Sequence, residues 1–118
     1  MTREKFLKDV DKSSGSNDTV QTVEKMYNVS LPDLVKKIIS YSDSTVFFGG
    51  ERRLLSKKEI INASKDLHVD FVKKGIIPLI DALDNDFICY DLNTKQWCFY
   101  NIIDDTSFSE TPDISKIL

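Results

Sequence analysis

The chain has 118 residues, 41% of them hydrophobic and 30% charged. That suits one globular domain, which typically spans roughly 100–150 residues. Three prolines and four glycines are too few for a collagen-like or disordered chain. The net charge of −3 conceals an asymmetry. Residues 1–80 carry 14 basic and 11 acidic side chains, a net of +3, whereas residues 81–118 carry a net of −6. The acidic third would repel phosphates, which argues against nucleic-acid binding there.

Arg3 to Val10 reads as a helix, with Phe6, Leu7 and Val10 at helical spacing. A polar loop follows, from Asp11 to Asn17. Asp18 or Thr19 is expected to cap the next helix, in which Val20, Val23, Met26 and Tyr27 form the apolar face. Residues 1–19 thus read as an appended helix and loop, and 20–118 as the core. Ser30-Leu31-Pro32-Asp33 opens a third helix, with proline at its first position and Asp33 complementing the dipole. Leu34, Val35, Ile38, Ile39 and Tyr41 give it a broad apolar face, leaving Lys36 and Lys37 on the solvent side.

From Thr45 the period changes. Thr45-Val46-Phe47-Phe48 is a strand closed by Gly49-Gly50, and Glu51 to Leu55 is its expected partner. Ser56-Lys57-Lys58-Glu59 is a capping-box signature that starts a helix. That helix continues, with a break, toward Val72, and Lys73, Lys74 and Gly75 punctuate its end. Ile76 to Ile80 is a strand, and Pro78 argues for an edge or strand-entry position.

Asp86 to Asp91 and Gln96 to Ile102 form a hairpin. With Asp91 opposite Gln96, Cys89 faces Cys98, Tyr90 faces Trp97 and Ile88 faces Phe99. Both faces are apolar, so the hairpin is either covered on both sides or offers one face to a partner. Thr106 to Thr111 reads as a polar loop, and Pro112-Asp113-Ile114 starts a short terminal helix. The elements add to an α+β fold.

No catalytic or metal set stands out. His68 is the sole histidine, and it with Cys89 and Cys98 falls short of four zinc ligands. The cysteines read as reduced core thiols rather than a nucleophile or a disulfide. Asp81, Asp84 and Asp86 lack the glycine and final glutamate of a calcium loop and read as a solvated turn. No run is long and apolar enough for a signal peptide or a membrane span. The expectation is a cytoplasmic protein without cofactor or enzymatic activity. Its partner-binding candidates are Asp81, Asp84, Asp86, Asp104, Asp105 and Glu110. Trp97 and Tyr100 are either apolar anchors of that surface or core residues.

Four motifs occur in order: Glu24 followed by Leu31-Pro32; Leu55-Ser56-Lys57-Lys58-Glu59-Ile60; Ile77-Pro78-Leu79; and Ile88-Cys89-Tyr90-Asp91. This order resembles the SUKH superfamily over about residues 20–118. That family of small α+β domains includes fungal cell-wall regulators and bacterial immunity proteins. Where its members carry Asn-Gly after the third helix, this chain has Ser42-Asp43, and it stops at Leu118 where they continue a helix. The resemblance implies a single mixed or antiparallel sheet with helices packed on it. It also implies an immunity protein, a monomer or weak homodimer, that neutralises a cognate toxin in bacterial competition. The toxin would carry a basic surface, as nucleases do. The alternative is a regulatory scaffold domain that recruits cellular proteins.

Overall fold

The computed structural model describes residues 1–42 and 46–118. It is an α+β fold with helices α1 (Arg3–Asp11), α2 (Asp18–Tyr27), α3 (Asp33–Tyr41), α4 (Lys57–Leu67) and α5 (Phe71–Lys74). The strands are β1 (Val46–Phe48), β2 (Arg52–Leu54), β3 (Ile76–Asp81), β4 (Asp86–Asp91), β5 (Gln96–Asn101) and β6 (Thr106–Thr111). All neighbours are antiparallel, in the order β1-β2-β3-β4-β5-β6. Thr45 and Asp43 lie outside the described residues. Among the described residues, no helix is long and apolar enough to cross a membrane.

The local starts follow side-chain chemistry. Asn17, rather than Asp18 or Thr19, caps α2, its side chain accepting from the Val20 N–H at 2.9 Å. Pro32 is the cap residue of α3 and not its first helical residue. The capping box at α4 forms as the sequence indicates: Ser56 Oγ accepts from the Glu59 amide, and the Glu59 carboxylate accepts from the Ser56 amide. The α4 helix breaks at His68, whose backbone is left-handed at φ 57°, and α5 restarts behind the Asp70 cap.

The β4–β5 register is the one expected, with Cys89 opposite Cys98, Tyr90 opposite Trp97 and Ile88 opposite Phe99. Of the two alternatives, the sheet takes burial on both sides. On one face the register aligns Phe48, Leu54, Ile80, Ile88 and Phe99. There Phe6 of α1 stacks on Phe48, with ring centroids 3.9 Å apart. Leu31 and Pro32, leading into α3, line a groove with Tyr90 of the same face. On the other face, Phe71 of α5 meets Tyr100 edge-on at 5.8 Å. Ala63 and Leu67 of α4 line a small cleft with Phe87 there. Between the layers α2 meets the start of β3, where the Tyr27 hydroxyl donates to the Ile76 carbonyl at 2.9 Å.

The strands qualify one expectation and correct another. β3 is an interior strand of the sheet, yet Pro78 sits near its entry, on a stretch that β2 does not reach, so its local position is the edge or strand-entry one expected. The proline is tolerated because β2 is short and meets β3 only at Ile80 and Asp81, and because the β3–β4 register shifts between Pro78 and Ile80. Thr106 to Thr111 is a strand, not a loop. Its sequence lacks apolar alternation because residues 106–110 are exposed at the sheet's edge. The chain then closes with a 3-10 turn, Ile114–Lys116, capped by Asp113. Ile114 and Leu118 are buried, and Arg3 donates to the Leu118 carbonyl at 2.7 Å.

Cys89 and Cys98 are both buried free thiols. Burial pushes the Cys89 thiol well above its usual range and Cys98 up to about 11. Both should therefore react slowly with an aromatic disulfide reagent at neutral pH and fast after unfolding in guanidinium. Rapid labelling of the native protein would show that the β4–β5 hairpin opens readily.

Candidate functional site: the acidic end of the sheet

An antiparallel meander sends alternate turns to the same end of the sheet. Here the turns at 49–51, 82–85 and 102–105 share one end. The second and third are tied together. Ile102 N–H donates to the Asn85 carbonyl at 3.0 Å. The Asn101 amide donates to Asp86 at 2.8 Å and to the Asp84 carbonyl at 3.4 Å. Asn101 Oδ1 accepts from the Ile103 and Asp104 amides at 3.0 and 2.9 Å. One asparagine thus organises both turns. In the 82–85 turn, Leu83, Asp84 and Asn85 have φ of 72°, 53° and 66°. Consecutive left-handed residues without glycine cost backbone energy.

This end is both acidic and apolar. Asp84 and Asp104 are exposed, Asp86 is half-buried, and Glu51 of the first turn is exposed. None of the four makes an ion pair among the described residues. Beside them Phe47 is 67% exposed, Leu83 51% and Ile103 71%. Among the described residues these are three of the six large hydrophobics left exposed, so half of those side chains gather at one end. Phe47 and Leu83 line one cleft of about 120 Å³ with Glu51, Arg53 and Asp81. Sequence reading passed over Phe47, Leu83, Ile103 and Glu51. The signal available was an apolar residue inside each acidic turn, Leu83 before Asp84 and Ile103 before Asp104.

The other candidates serve different ends. Asp81 pairs with Arg53 at 3.3 Å, and Arg53 also holds Glu59 bidentately at 2.7 and 2.9 Å. Asp105 accepts from Lys74 at 2.8 Å and from the Tyr100 hydroxyl at 2.5 Å, clamping the third turn to α5. Lys74 first, then Tyr100, holds the Asp105 carboxyl below the usual range. Glu110 is exposed but sits in the far half of β6. Trp97 and Tyr100 are 3% and 2% exposed, so both are core residues and neither anchors a partner from the surface. Tyr90 rather than a partner packs on Trp97, edge-on at 5.1 Å. Among the described residues no three His, Cys, Asp or Glu side chains are placed to hold a metal ion.

Comparison with known proteins gave no matching family model, no matching curated protein and no matching solved structure.

The Arg53–Glu59–Asp81 group yields a pH test. Hydrogen bonds from Arg53 lower the Glu59 carboxyl below its ordinary value of 4.5. A lowered folded-state pKa adds stability that is complete above the unfolded value and lost as pH falls through the folded one. The thermal midpoint of the Arg53→Met variant should therefore lie below the parent's at pH 7, with the gap closing below about pH 4.5. A gap that stays constant down to pH 3 would mean that Arg53 contributes packing and no charge pairing.

Proposed function

We propose that this protein acts by binding another protein, as an immunity protein that masks a basic toxin domain with the acidic end of its sheet. The observation that carries the reading is the gathering of Asp84, Asp86, Asp104 and Glu51 around exposed Phe47, Leu83 and Ile103. Folding alone does not account for it. Exposed apolar side chains contribute nothing to the core, and unpaired like charges repel. An interface accounts for both, because apolar residues form its desolvated centre and carboxylates its rim. A negative rim also steers a basic partner, raising association rates by roughly 10–10³-fold at low salt. The toxin-directed part of the reading follows from the ordered SUKH-like motifs. In the first two of those motifs the Glu24 carboxylate accepts from the Leu31 N–H at 2.8 Å, and the Ser56–Glu59 box starts α4.

Co-expression with the toxin domain encoded beside this chain's gene tests it. The parent chain should restore growth and form a complex. The Asp84→Lys/Asp104→Lys double variant should slow association by about tenfold at low salt and flatten its salt dependence. Asp86 is left intact because it holds Asn101. Reversal of Lys58 and Lys65, exposed on α4, should leave association unchanged. If the lysine reversals abolish protection and the aspartate reversals do not, the binding face lies on the helices. If the parent neither binds nor protects, the toxin-directed reading fails.

A further inference from the structure

The strand β6 is the last of the sheet, and β5 flanks it on one side. Residues 106–110 are all exposed. Among the described residues, their main-chain groups make no hydrogen bond outside the β5–β6 ladder. Such an edge presents a row of donors and acceptors ready to pair with another strand. Edges are commonly guarded by lysine, proline or a bulge. Thr106-Ser107-Phe108-Ser109-Glu110 contains neither lysine nor proline. It has one bulge, marked by Ser109 at φ 56° and by the register shift opposite Trp97 and Phe99. The regular edge is therefore Thr106 to Phe108, room for a short docked segment.

We propose that β6 is a docking edge for an extended, basic segment of a protein partner, which adds to the sheet as a seventh strand beside Phe108. The proposal rests on the protein-binding reading above and specifies how the partner engages. Its first support is Phe108, which remains 41% exposed while stacked on Phe99 at 5.3 Å and 12°. The Arg52 guanidinium already sits 5.6 Å from the Phe99 ring, so this aromatic pair accommodates a cation. A side chain on an added strand would lie roughly 4.5–5.5 Å from Phe108 on the same face, within cation–π reach.

Charge selects the occupant. No lysine or arginine occurs from Gln96 to Ser115, while Asp104, Glu110 and Asp113 do; Asp105, the remaining acid of that stretch, is already held by Lys74. A second copy fits poorly. Antiparallel self-pairing centred on Phe108 sets Asp104 beside the Pro112-Asp113 of the other copy. Parallel pairing in register sets Glu110 against Glu110. Like charges opposed across strands destabilise the pair. A basic segment meets the same carboxylates favourably, and β6 continues from the turn that carries Ile103 and Asp104. Strand and turn thus form one continuous surface.

Amide hydrogen exchange on the full chain tests this, with a ten-residue peptide of alternating lysine and valine as probe and its glutamate–valine counterpart as control. The basic peptide should slow exchange within Thr106–Phe108, and the acidic peptide should not. Phe108→Lys should weaken binding of the basic peptide by about tenfold, with the circular dichroism spectrum unchanged. Glu110→Lys, at an exposed position, gives a second variant that should also weaken it. Strand addition is overturned by equal binding of the acidic peptide, by no binding, or by protection confined to the turns at 82–85 and 102–105. It is equally overturned if Phe108→Lys still neutralises the toxin domain with parental affinity. In that last case the protein-binding reading stands, and only the mode of docking is wrong.

Discussion

The rest of the structure depends on burying two apolar faces of one hairpin. In β4 and β5, Ile88, Tyr90 and Trp97 face one way, and Phe87, Cys89, Cys98 and Tyr100 the other. A sheet with one wet face would need only a single cover. This one requires a helical layer on each side, and the chain supplies α1 and α3 before the long strands and α4 and α5 just ahead of them. Fully burying one large apolar side chain is worth about 1.5–3 kcal/mol, so neither layer is dispensable.

Polar contacts then fix how those layers sit. Glu24 at the end of α2 accepts from Leu31 N–H and so sets the approach to α3. The Ser42 hydroxyl, just past α3, donates to the Leu55 carbonyl where β2 leads into α4. Arg53 joins β2 to both α4 and β3 through Glu59 and Asp81. Lys74 and Tyr100 meet on Asp105. Each contact links segments whose order in the chain leaves their angle open. Apolar burial is non-directional, and these bonds supply direction.

A scaffold held in this way leaves its turns free for binding. The three turns at the acidic end contribute little to either face of the core, yet Asn101 holds two of them in register. Recognition residues commonly sit on loops positioned by a rigid frame. The left-handed run from Leu83 to Asn85 fits that pattern, since it holds an apolar side chain out in solvent at a cost in backbone energy.

Much of this was legible in the residues themselves. The Ser56–Glu59 box, the Pro32-Asp33 entry to α3 and the Gln96 register of the hairpin are set by neighbours a few positions apart, so local pattern determines them. The apolar composition of both hairpin faces also shows that two covers are needed or that a partner supplies one. Tertiary structure alone decided between those alternatives, and it placed Trp97 and Tyr100 inside. It alone revealed β6, because a solvent-exposed edge strand needs no apolar alternation and carries none. It placed Pro78 on the stretch of the interior strand β3 that β2 does not reach, since how far β2 extends along β3 is not written at the proline. It also sorted the acidic residues. Asp81 and Asp105 found cations from Arg53 and Lys74, distant in sequence, while Asp84, Asp86 and Asp104, gathered at one end, make no ion pair among the described residues. Charge can be counted along a chain, but whether two charges meet depends on which strands lie side by side.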